Sequence, residues 1–157
     1  APIATLNSSY KTDIEGLWSE SGTSASQDSD GLTMTVSSTL SEENFAIFGN
    51  NNTSSTSTSD LPSGVVVRSG RIWQVDKSGT VSADVAIDIS DATGNSPTVA
   101  TASNYKLLHR LGTSGNFTVM ATGDSVSSGA SVDEITFSGV TVNKGFYVIA
   151  ATESSDL

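Results

Sequence analysis

Asp28 and Asp30 stand two residues apart in SQDSDG with Gly31 directly behind them, an arrangement in which a sharp turn gathers oxygen ligands around a hard cation such as calcium. Placing Gly31 at the glycine of an EF-hand loop puts Ser26 at the first ligand position and Ser37 at the twelfth, where a bidentate Glu belongs. The strict motif is therefore not met. A looser site of carboxylates and backbone carbonyls is left, beside the plainer reading of a solvated acidic turn. Asp88, Asp91 and Asn95 form a second oxygen-rich group at the end of a strand-like run, with calcium as the only cofactor they suggest and the same plain alternative.

Sugars stack their apolar faces on exposed aromatic rings, so the aromatic residues are the next candidates. Trp73, between Ile72 and Val75, reads as core, and so does Tyr147 beside Phe146. Trp18 and Tyr10 lie in the weakly patterned residues 1–31 and are the expected ligand-binding aromatics.

Catalytic constellations are poorly supplied. His109 is the only histidine, in YKLLHRL, and no G-x-S-x-G elbow gives it a serine partner. A partly buried structural histidine is expected, and a zinc site would have neither a second His nor any Cys. Glu15, Glu20, Glu42, Glu43, Asp133 and Glu134 could furnish a glycoside-hydrolase pair only if two of them faced one another across a cleft. If Glu42 and Glu43 lie on a strand, they point to opposite faces. Hydrolysis is the third and least favoured reading.

The chain around these residues has 157 residues and a formal net charge of −10, with only seven Lys and Arg. Clustered cations are what phosphate backbones require, so nucleic acid is not an expected partner. No apolar run approaches the roughly 20 residues of a membrane-spanning helix. Without Cys there is no disulfide framework. The start, APIATLNSSY, is neither a signal peptide nor an initiator Met, and the chain reads as one domain excised from a longer one.

Ser and Thr fill 48 of the 157 positions and Gly is frequent, a composition that favours strands and turns. Residues 67–89 hold the clearest pattern, two strand-like runs joined at Lys77, Ser78 and Gly79 and expected to pair as a hairpin. Val81, Ala83, Val85, Ile87 and Ile89 alternate with polar residues, the period of a half-buried strand. Leu32, Met34 and Val36 alternate likewise, while NFAIFG and GFYVIAA are apolar on both faces, as interior strands are. Residues 50–60 are eleven polar residues expected to form an exposed loop. About nine short strands at turn-punctuated spacing predict an all-β antiparallel sandwich, jelly-roll-like or immunoglobulin-like.

The order FAIFGNNN, DLPSGVVVRSGRIWQVDKSGTV, NYKLLHRLGTSGNFTVMA and ITFSGVTVNKGFYVIAAT resembles a bacterial domain family of unknown function. That family recurs in large secreted and cell-surface proteins, often beside laminin-G-like modules. The resemblance runs from about Asn44 to Thr152, and Arg71, Trp73, Val75, Gly79 and Val81 are its most specific part. Where such members often carry an Asp-rich turn after the Y-x-L-L strand, this chain has Leu111 to Asn116, so any cation site there does not carry over. The resemblance implies a non-catalytic structural or adhesive module of an extracellular or cell-surface protein, with other domains of that protein as partners. A carbohydrate-binding module, calcium-assisted, is the alternative.

Overall fold

The structure is a computed structural model that describes residues 5–19, 26–36, 39–99, 101–129 and 132–157, with the side chains of 128–132 left aside. Two antiparallel sheets pack as a sandwich, which bears out the all-β expectation. Of the thirteen described strands, eight form the larger sheet. β1 (Thr12–Leu17), β4 (Phe45–Asn50) and β7 (Trp73–Ser78) lead to β13 (Gly145–Ala151). β7 and the short β6 (Val67–Ser69) share one edge of β13, with β5 (Thr56–Ser57) beyond β6. β9 (Tyr105–Arg110) takes the other edge, followed by β10 (Thr118–Thr122). The smaller sheet runs β11 (Ser125–Gly129), β12 (Val132–Thr141), β8 (Ser82–Asp88), β3 (Leu32–Thr35) and β2 (Ser26–Ser29).

The expected hairpin at residues 67–89 does not form. β7 lies in the larger sheet and β8 in the smaller, so Lys77 to Gly79 carry the chain across the sandwich rather than around a two-strand turn. Alternation reports which face of a strand is buried, and it is equally satisfied by strands facing one another across a core. Trp73 and Val75 enter that core from one side, Val81, Ala83, Val85 and Ile87 from the other. Gly79, at φ 66°, makes the crossing, where a Cβ would strike the Asn44 side chain.

β13 is buried along its whole length because it faces two cores. Tyr147, Ile149 and Ala151 belong to the main one. Phe146, Val148 and Ala150 join Val65, Ile72, Leu108 and Phe117 in a smaller cluster on the outer face of the larger sheet. Such burial contributes about 1.5–3 kcal/mol per large apolar side chain. Arg68 and Arg110 both lie over the Phe117 ring, at 5.2 and 4.1 Å from its centroid. The Ser-rich β2 and β11 and the short β5 and β6 raise the strand number above the expected nine. The segment after Ile87 adds a one-turn helix, α1 (Ile89–Thr93), closed by Gly94 at φ 76°. No described helix is long and apolar enough to cross a membrane.

Candidate functional site

The two acidic groups of the sequence meet in space. The turn joining β2 to β3 holds Asp30 at φ 44° and Gly31 at φ 107°, and the Asp88 amide donates to the Gly31 carbonyl at 2.8 Å. A Cβ on Gly31 would stand 2.6 Å from that of Asp91, so only glycine lets the turn approach α1 this closely. Asp88 caps α1, accepting from the Asp91 amide at 3.2 Å and from Ser90 Oγ at 2.7 Å. Asn95 lies beyond the helix, its amide on Thr93 Oγ1 at 3.1 Å.

Buried framework residues hold this turn. Trp73 Nε1 donates to the Ser29 carbonyl at 2.7 Å, and Arg71 Nη1 to that of Asp30 at 2.7 Å. Asn50 Nδ2 reaches Ser29 Oγ, Asp30 Oδ2 and the Thr12 carbonyl at 3.2 to 3.3 Å. Asp13, itself at φ 47°, accepts the Asp30 amide at 2.9 Å. Asp28 Oδ1 accepts Thr33 Oγ1 at 2.9 Å and the Gly31 amide at 3.3 Å.

These carboxylates share one field. Burial, then Asp88, pushes Asp91 above the ordinary aspartate range, with Asp28 and Asp30 adding to the rise and Arg71 opposing it. Burial, then the charge and hydrogen bond of Asp13, raises Glu15. Glu134, opposite Asp88 in the register of β12 and β8, is raised by burial and then by Asp88 and Asp28. Among the described residues, no three carboxylates or histidines converge closely enough to hold a metal ion.

Trp18 follows β1 with its indole half-exposed. The ring lies over Gly16, where a Cβ would come within 2.9 Å of Cζ3. With Ile14, Glu15, Gln27 and Ile47 it lines a groove of about 280 Å³. Tyr10 is elsewhere: half-buried, it packs edge-on against Phe146 at 4.9 Å and extends the outer cluster.

His109 is half-buried, tilted on Tyr147 at 4.9 Å, with Nε2 on the Lys144 carbonyl at 2.7 Å. Glu42 and Glu43 lie exposed in a turn rather than on a strand, Glu43 at φ 68°. Glu20 and Ser37 fall outside the described residues. Asp13 and Asn50, missed as site residues, had no local signal; their roles depend on strands brought together from 17 to 38 residues away.

One family model matches this chain, covering residues 4–146, and its description is a domain of unknown function, DUF8202. The chain belongs to the DUF8202 family. The match reaches well ahead of Asn44 to take in β1, β2 and the acidic turn, and it stops inside β13, the strand on which the larger sheet of this DUF8202 domain is centred. No curated protein and no solved structure matches the chain.

Proposed function

We propose that this DUF8202 domain is a non-catalytic adhesive module of a bacterial extracellular or cell-surface protein, and that its contact is a sugar stacked on Trp18. The observation that carries the reading is the Trp18 groove: a half-exposed indole seated on Gly16, flanked by Ile14 and Ile47 and bordered by Glu15 and Gln27. An apolar sugar face covers the indole, and a carboxylate and an amide at the rim accept and donate hydrogen bonds to its hydroxyls. A binding rather than a hydrolytic role is supported by the groove linings. Among the described residues, Glu15 is the one carboxylate lining this groove, and hydrolysis requires two, facing each other. The extracellular setting rests on the sequence resemblance.

A glycan array probed with the wild-type domain and with Trp18→Ala tests the reading. Expected are hits that vanish in the variant while its melting temperature holds. Absence of wild-type hits, or hits that survive in Trp18→Ala, would overturn it.

A further inference from the structure

A second groove, built from other elements, has the opposite charge to the rest of the molecule. It lies between the segment joining β9 to β10 and the start of β13, with a volume of about 790 Å³, within the roughly 300–1,000 Å³ of small-molecule sites. Lys77, Arg110 and Lys144 line it together with His109, and among the described residues no carboxylate does. Three of the chain's seven Lys and Arg thus gather at one place on a chain of net charge −10.

The charges of these groups are only partly spent. Asp60 pairs with Arg110 at 3.0 Å and Asp76 with Lys144 at 3.4 Å. Against those two anions stand three cations, and the one that meets no carboxylate among the described residues is Lys77, whose Nζ donates to the Gly79 carbonyl at 2.6 Å. Arg110 is nine-tenths buried, and its Nε meets no acceptor among the described residues. A carbonyl can only accept, so the contact with Lys144 fixes the proton of His109 on Nε2 and makes Nδ1 the acceptor of the neutral ring. Ser114, Asn116 and Thr118 add hydroxyl and amide groups to the lining, and Leu111, largely exposed, adds apolar surface.

We propose that this groove binds the carboxylate or sulfate of an acidic sugar, with Lys77 and Lys144 holding the anion. Hydroxyls and amides along the wall suit the sugar's own hydroxyls. The inference is independent of Trp18.

Calorimetric titration of the wild-type domain with trigalacturonate, a sulfated galactose trisaccharide and neutral galactotriose tests it. At least one acidic ligand is expected to bind more tightly than the neutral one, and the carboxylate and sulfate arms tell which anion is preferred. Its Kd rises about tenfold or more in the double variant Lys77→Gln with Lys144→Gln, and it weakens with added salt. Trp18→Ala leaves it unchanged. The Lys144 side chain is 63% exposed, and an unchanged melting temperature of the double variant shows that the fold persists. Equal affinity for galactotriose, no binding of either acidic trisaccharide, or a Kd indifferent to the double variant would overturn the proposal.

Discussion

The indole of Trp73 and the carbonyl of Ser29, 44 residues apart, meet in a buried hydrogen bond of 2.7 Å that ties the larger sheet to the acidic turn of the smaller one. Phenylalanine at position 73 keeps most of the apolar contact and removes the donor. Trp73→Phe should cost about 1–3 kcal/mol for the unpartnered polar group, plus a contribution from the volume lost. Urea unfolding reads this as a lower midpoint at an unchanged slope. A midpoint equal to that of the wild type would mean that the bond adds nothing to stability.

Asp91 gives a pH dependence of definite sign. Its folded pKa is raised above the ordinary 3.8, first by burial and then by Asp88, so the folded state takes up this proton before the unfolded state does. Stability from this group is greatest below 3.8 and is lost as pH rises through the folded pKa. Asp91→Asn should therefore raise the melting temperature at pH 7, with the gain shrinking toward zero near pH 4. Melting curves of both proteins across that range check it, and a gain that grew on acidification would contradict the assignment.

In the acidic turn one carboxylate oxygen on each of three aspartates is already engaged, and among the described residues no three acidic or histidine side chains converge on a metal position. Asp28 Oδ1 serves Thr33 and Gly31, Asp30 Oδ2 serves Asn50, and Asp88 Oδ1 serves Ser90 and Asp91. A ligand that binds only the folded state raises stability by about 2.7 kcal/mol at a hundredfold excess over its Kd. Millimolar calcium should give no such shift in melting temperature, and neither should a chelator. A calcium-dependent rise of several degrees would show that the turn rearranges to bring its carboxylates together around the ion.

Much of the sandwich was legible because burial imprints itself on neighbouring residues. Leu32, Met34 and Val36 alternate, and GFYVIAA is apolar throughout because β13 faces two cores. Strand partnership leaves no such imprint, and so the run through Lys77 to Gly79 read as a hairpin when it is a crossing between sheets. β2 and β11 leave no pattern in the sequence for a related reason: they are mostly polar strands, paired by their ladders to β3 and β12. In the acidic site, Asp28, Asp30, Asp88 and Asp91 stood out by composition, whereas their meeting depends on Gly31 and α1. The cationic groove had no local signature, since Lys77, Arg110 and Lys144 come from three separate strands or their ends.

Gly16 offers a way to move the Trp18 ring without removing it. An added Cβ would stand 2.9 Å from Cζ3 and 3.3 Å from Cε3 of Trp18, and 3.5 Å from the Ala46 carbonyl. The indole is the side that can yield, because it is half-exposed, whereas the Ala46 carbonyl belongs to β4 in the sheet. Gly16→Ala should thus displace the ring while costing stability no more than about 1 kcal/mol, typical of a substitution relieved by side-chain movement. Tryptophan fluorescence separates the two indoles by quenching, since Trp73 is fully buried and Trp18 is not. The accessible component should change its emission and its iodide quenching in Gly16→Ala while the buried one holds. If Trp18 is the sugar platform, glycan binding falls in parallel with that spectral change; binding that survives a clearly displaced ring would place the contact elsewhere on the domain.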